Sequence, residues 1–222
     1  MLDEYPQPSV AVDTAALTYD PVRAEILVLQ VRRPDGPGWA LPGTFMHIDE
    51  LLADAVARSL RDKAGVTGVV PRQLHVFDAL DRDDRGRVLA VAHMAVVRLD
   101  RLADRLPATR LTPVHRPGRM WRDHADIIDL ARVRLEDEHR ARPDPYGLLA
   151  DGDGDTADDT ADDVAAWGNA FTLRELRRLH EAVAGTTLQP DTFKRRMAPY
   201  LVETGHTVTS GRGRPAELFR RR

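Results

Sequence analysis

Lys194-Arg195-Arg196 stand in a row within a stretch where Phe193, Met197 and Leu201 recur at i, i+4 and i+8. That spacing predicts a helix over 189–205 with one apolar stripe, and it turns the three cations outward. Arginine suits bidentate contact with guanine O6 and N7, and each cation placed near a phosphate releases counterions. Thr192 lies on the same helix and is a further candidate DNA contact. Arg212 and Arg214 sit in a basic glycine turn, Gly211-Arg212-Gly213-Arg214-Pro215, from which they could reach a flanking groove or phosphates. The plainer alternative is the solvated face of a structural helix. A second cluster is acidic, with seven aspartates between 151 and 163. Asp151, Asp153 and Asp155 have the 1-3-5 spacing of a calcium loop. However, the sixth position is Thr156 where the sharp turn needs glycine, and the twelfth is Asp162 where glutamate is usual. With nothing apolar larger than alanine, 151–164 reads as an acidic linker, and no metal site is assigned.

The linker separates regions of opposite charge. From residue 165 onward there are 11 Lys and Arg against 5 Asp and Glu, while the first 164 residues hold 21 against 30. The net charge of −3 over 222 residues hides a basic tail behind an acidic front. Cysteine is absent, which excludes disulfides, thiolate metal sites and cysteine nucleophiles. No apolar run of 18 residues exists and no basic-then-apolar leader opens the chain, so a cytoplasmic protein without membrane attachment is expected.

The elements that must position these residues follow from periodicity. Strands are predicted at 9–18 and 24–32, with Asp20-Pro21 in the turn between them. Leu52, Val56 and Leu60 mark a helix over 50–64, which Gly65 caps. Further strands fall near 72–80 and 88–98. A second helix runs from about 123 to 138 with Ile127, Leu130 and Leu135 inward. Strands interspersed with two helices make an α/β sandwich of residues 1–150. Beyond the linker, Thr172 and Glu175 form a capping box ahead of Leu173, Leu176, Leu179 and Val183. The basic helix comes next and is expected to end at Gly205. A hairpin over 206–220 follows. Helix, turn, basic helix and hairpin over 165–222 are in the order of a winged helix-turn-helix.

Residues 39–66 resemble the Nudix box, G-x5-E-x7-R-E-U-x-E-E-x-G-U, where U is a bulky aliphatic. Thr44 takes the first glycine position, and Glu50, Arg58, Leu60, Gly65 and Val66 match. The three helix glutamates fall on Ser59, Asp62 and Lys63. In the family those carboxylates hold divalent metal against a diphosphate. Here Lys63 would set an ammonium beside the cation, a repulsion of about 4 kcal/mol per unit charge product at ~4 Å and an effective dielectric of ~20. The resemblance therefore implies a Nudix-like α/β/α sandwich that has lost efficient hydrolysis, with no catalytic residues, no metal and no cofactor. What it leaves is a pocket shaped for a nucleotide diphosphate, with Arg32, Arg33, Trp39, Glu50, Lys63, Arg82, Arg85 and Arg87 as candidate ligand contacts. His47, His75, His93 and His124 are further candidates, although a lone histidine is more often a packing residue.

A degenerate Nudix domain followed by a basic winged helix resembles the Nudix-related transcriptional regulators, the NrtR family. The resemblance covers nearly all of the chain except residues 1–7 and the acidic linker. It implies a homodimeric repressor of NAD-metabolism genes that binds double-stranded DNA and responds to ADP-ribose or a related nucleotide. Some relatives sense sugar-pathway ligands instead. The competing reading is a pyrophosphatase that keeps weak metal-dependent turnover through Glu50 and Asp62. An RNA-binding module has little support, because the basic helix lacks the interleaved aromatics that stack on unpaired bases.

Overall fold

The computed structural model describes residues 7–34, 36–102, 105–149, 170–209 and 215–222. The acidic linker, the calcium-loop alternative and the turn carrying Arg212 and Arg214 lie outside the described residues. The chain divides into two compact units, one of residues 1–18 and 26–133 and one of 19–25 and 134–222. Among the described residues no helix is long and apolar enough to cross a membrane.

The first unit is built on a seven-stranded mixed sheet. Strands β1 (Ser9–Asp20), β2 (Glu25–Arg32), β3 (Trp39–Ala40), β5 (Arg72–Phe77) and β6 (Val88–Val96) run in the order β3-β2-β1-β6-β5. Short β4 (Gly43–Phe45) pairs antiparallel with β1, and β7 (Thr109–Pro113) pairs with β2. The centre is a parallel pair, with Val12 of β1 opposite Val91 of β6. Central parallel strands are covered on both faces, which explains why β1 and β6 are near-continuous apolar runs without alternation. Helix α1 (Leu52–Ala64) buries Ala55, Val56, Leu60 and Ala64 against Val12, Ala16, Leu29 and Val31. Gly65 ends α1 in the left-handed conformation at φ 72°, and its amide donates to the Arg61 carbonyl. Helix α2 spans His124–Arg140 and buries Ile127, Ile128 and Leu135, whereas Leu130 is only half-buried.

The second unit holds a three-stranded antiparallel sheet, β8 (Phe171–Thr172), β10 (Ala216–Arg221) and β9 (Leu201–Val208), with β10 in the middle. Helices α3 (Leu173–Ala184) and α4 (Pro190–Met197) precede the hairpin. The Thr172–Glu175 capping box forms as the sequence predicts. One core joins Phe171, Leu176, Phe193, Met197, Leu201 and Phe219. The basic helix is shorter than its periodicity implies. It stops at Met197, a 3-10 turn covers Ala198–Tyr200, and Leu201 already belongs to β9. Pro199 has no amide to donate back into a continuing helix, and Leu201 pairs with Arg221 instead. Leu201 still reaches the core, so its apolar spacing is genuine although its conformation is not helical. Gly205 lies inside β9 at φ 79°, where the register with β10 shifts, and it ends no helix.

Candidate functional site

The site of the first unit starts at Asp13, one charged residue within the apolar run of β1. β4 lies alongside, with Gly43 opposite Asp13. A side chain at Gly43 would come 2.8 Å from the Val12 carbonyl, so only glycine permits this approach. Asp13 is nearly sealed from water and accepts from Arg82 Nη2 at 2.7 Å. Arg82 Nε also donates to Asp123 Oδ2 at 2.6 Å. The Asp13 Oδ1 atom lies 3.5 Å from His124 Nε2, at the start of α2. His124 Nδ1 accepts from the Leu41 amide at 2.8 Å, which places the imidazole proton on Nε2, facing Asp13. Burial holds the His124 pKa below its ordinary value, so this ring is neutral.

Around this network lies a cavity of about 620 Å³. Arg33, Lys63, Arg82, Arg85 and Arg122 line it, against Asp13, Asp83 and Asp84. The Lys63 ammonium donates to the Gly43 carbonyl. Arg85 makes paired hydrogen bonds to Asp83 at 2.9 and 2.8 Å, and these drive the Asp83 pKa far below the carboxylate range. Arg122 donates to Asp84 at 2.6 Å and to the Arg82 carbonyl at 2.7 Å. The Arg33 guanidinium stacks 3.4 Å above the Trp121 ring, and Arg122 lies 4.6 Å from the same ring. These contacts hold the cations in place before any ligand arrives, which lowers the ordering cost of binding an anion.

The structure thus gathers four of the sequence candidates, Arg33, Lys63, Arg82 and Arg85, in one cavity. Arg82 is buried and committed to two carboxylates, so its place is to position the wall. Four other candidates lie off the cavity lining, each for a physical reason. Glu50 is held by Arg58 Nε and Nη2, both at 2.7 Å, and by the His47 amide at 3.0 Å. The Arg58 hydrogen bonds above all, then that amide, lower its pKa to about 2. Arg58 also donates to the Phe45 carbonyl at 2.9 Å, so Glu50 and Arg58 clamp the 44–50 loop to α1. Trp39 lies in β3 with the Arg110 guanidinium 4.1 Å over its ring. Arg32 ends β2 opposite Trp39. Arg87 donates to the Asp78 and Ala79 carbonyls and lines a smaller neighbouring cavity with Arg85 and Phe45.

Of the four histidines, His124 alone lines the larger cavity. Asp13, Asp123, Trp121 and Arg122 were missed by sequence reasoning. The one available signal was Asp13 itself, an acid in the middle of an apolar strand.

The second unit presents the nucleic-acid candidate. On α4, Phe193 and Met197 are buried while Thr192, Lys194, Arg195 and Arg196 are exposed. The turn before α4 is tied from α3. The Glu181 carboxylate accepts from the Leu188 amide at 2.9 Å and from Arg177 at 2.7 Å, and Arg177 also donates to the Leu188 carbonyl. Pro190 occupies the first turn of α4, where a missing amide costs nothing.

Comparison with known proteins fits these two units. Residues 10–143 match the NUDIX domain. The chain belongs to the NUDIX domain family. Residues 166–221 match the NrtR DNA-binding winged helix domain. The chain is 26% identical, over 98% of its own length and 83% of the relative's, to the ADPR responsive transcriptional repressor NtrR of Acinetobacter baylyi. Its fold superposes on Shewanella oneidensis NrtR in complex with a 27mer DNA, with TM-score 0.72 and 28% identity, covering 96% of this chain and 93% of the other. The NUDIX domain of that Shewanella protein in complex with ADP ribose matches 60% of this chain and 92% of its own, with TM-score 0.52 and 27% identity. The chain is thus an NrtR homologue within the NUDIX family.

Proposed function

We propose that the chain is an ADP-ribose-responsive transcriptional repressor of NAD-metabolism genes, acting in the cytoplasm as a homodimer. One observation carries this reading. A Nudix unit and a DNA-binding winged helix are joined in a single chain that aligns almost end to end with a relative solved on DNA. Residues 1–150 form the effector domain, 151–164 the linker and 165–222 the DNA-binding domain. In the first, Arg33, Lys63, Arg85 and Arg122 face the diphosphate of the effector. In the second, Thr192, Lys194, Arg195 and Arg196 enter the major groove, and Arg212 and Arg214 contact the flanking backbone. Two recognition helices in a dimer read a near-palindromic site with half-sites about one helical turn apart.

The effector acts by binding the DNA-competent and DNA-incompetent forms unequally, because a ligand with equal affinity for both shifts nothing. Hydrolysis is not part of this function. Ser59 is neutral and Lys63 cationic where the family has glutamates, and Glu50 is engaged by Arg58. Titration calorimetry of ADP-ribose into the full chain is the test, paired with an assay for AMP release in magnesium or manganese. Saturable heat without AMP release is expected. Brisk metal-dependent release of AMP would overturn the non-enzymatic reading, and the absence of binding would overturn the choice of effector.

A further inference from the structure

We infer that the cavity takes the diphosphate of its effector without a divalent cation, the Lys63 ammonium supplying the charge that a metal would otherwise bring. This rests on the effector reading above and names the physical means of recognition.

The donor set does not fit a metal. Position 63, a glutamate in the family box, holds an ammonium that is already bonded to the Gly43 carbonyl. A cation approaching that oxygen would meet a positive charge at hydrogen-bond distance. Position 59 holds a serine that is almost wholly buried, and among the described residues its hydroxyl has no hydrogen-bond partner. Asp62 carries a charge, but it pairs with Arg61 at 2.8 Å on an open surface where both side chains are more than half exposed. Glu50 spends both carboxylate oxygens on Arg58 and the His47 amide. The acids that do line the cavity are each held by a guanidinium: Asp13 by Arg82, Asp83 by Arg85 and Asp84 by Arg122. A magnesium ion needs several hard oxygen donors at near-octahedral angles, and here it would have to displace arginines to find them. Among the described residues no cluster of three or more histidines and carboxylates suited to a metal occurs.

The same arrangement suits a metal-free diphosphate. Counting Asp123 with the Arg82 it binds, five cationic side chains stand against four acidic ones, so the site keeps a positive excess suited to an anionic diphosphate. Lysine presents a compact point charge with three donors, so Nζ can hold the Gly43 carbonyl and a phosphate oxygen together. The Gly43 carbonyl fixes where that ammonium stands. The need for glycine at 43, set by the close approach of β4 to β1, fixes the carbonyl in turn.

The test uses the full chain. ADP-ribose is titrated in buffer with excess EDTA and again with millimolar magnesium, for the wild type, Lys63→Gln and Lys63→Arg. Wild type is expected to bind with the same affinity in both buffers. Lys63→Gln is expected to bind about 10- to 100-fold more weakly, the size of a lost charge-assisted hydrogen bond, and Lys63→Arg to keep most of the affinity. Binding by the wild type that vanishes in EDTA and returns with magnesium would overturn the inference and leave ADP-ribose as the effector. Unchanged affinity of Lys63→Gln would overturn it as well. If ADP-ribose gives no heat in either buffer, the effector reading fails, and inorganic pyrophosphate in EDTA still decides the inference. Thermal stabilisation of the wild type by pyrophosphate, lost in Lys63→Gln, supports it, and no stabilisation of the wild type overturns it. The magnesium comparison needs only the wild type, so it stands even if a Lys63 variant fails to fold.

Discussion

Arg82 Nη2 lies 2.7 Å from Asp13 Oδ2, joining the loop after β5 to the central strand through a pair with side-chain exposures of only 6% and 9%. Breaking a buried pair leaves a charge that nothing compensates, a loss of about 3–5 kcal/mol. Arg82→Leu is therefore expected to cost that much in urea unfolding. Arg85 is 65% exposed and should behave differently. Arg85→Ala should cost less, about 1–3 kcal/mol, because it strips the buried Asp83 carboxylate of a partner that water can partly replace, while weakening ADP-ribose binding. Equal stability losses in the two variants would refute the division between a positioning and a binding arginine.

Glu50 is the site's one intact match to a family carboxylate, yet it serves the fold. Its folded pKa of about 2 lies below the ordinary 4.5, so its stabilising effect is complete above 4.5 and is lost as pH falls through the window towards 2. Glu50→Gln should lower the melting temperature at neutral pH. The gap from wild type should close as pH descends through that window. A gap independent of pH would contradict the role given to the Arg58 clamp.

The winged-helix unit carries its own pH dependence. His180 is buried beside Phe193 with ring centroids 5.0 Å apart, and its Nε2 donates to the Pro143 carbonyl. Burial, above all, lowers its pKa to about 4 from an ordinary 6.5. The unfolded chain therefore binds a proton more readily, and stability falls as pH drops from 6.5 towards 4. The full effect is about 3 kcal/mol, with no further loss from this group below its folded value. Unfolding followed across that range should show the decline, and His180→Gln, which keeps a donor but cannot titrate, should flatten it. An equally steep decline in the variant would assign the effect to other groups, His139 first among them, since burial lowers its pKa too.

On α4, core and surface should separate cleanly. Phe193→Ala removes a ring that is 3% exposed and should cost about 3–5 kcal/mol of stability. Arg195→Ala or Arg196→Ala should leave unfolding unchanged and weaken specific DNA binding by about 1–3 kcal/mol, measured by fluorescence anisotropy. Full DNA affinity in both arginine variants would return the helix to a merely solvated face.

Local chemistry made part of this legible in advance. The Thr172–Glu175 box and the Gly65 cap depend on residues a few positions apart, and each formed where its spacing placed it. The apolar runs of β1 and β6 showed buried strands. The end of α4 was misread because Leu201 continues the helical spacing of Phe193 and Met197 while it reaches the same core from β9. The wall of the cavity was harder still. Asp13, Arg82 and Asp123 meet across separations of 69 and 41 residues, a strand residue and two loop residues that only the tertiary fold brings together. For Glu50 and Trp39 a motif gives residue types alone, and it could not show that Arg58 and Arg110 engage their charge and ring face in the folded chain.

Coupling between effector and operator remains the decisive quantity. Anisotropy of a labelled duplex from the promoter beside this chain's own gene, titrated with the full chain at fixed low salt with and without ADP-ribose, measures it. Saturable binding that ADP-ribose weakens is the predicted outcome. Indifference to the duplex, or an affinity that ADP-ribose leaves unaltered, would contradict a repressor that releases DNA on sensing its nucleotide.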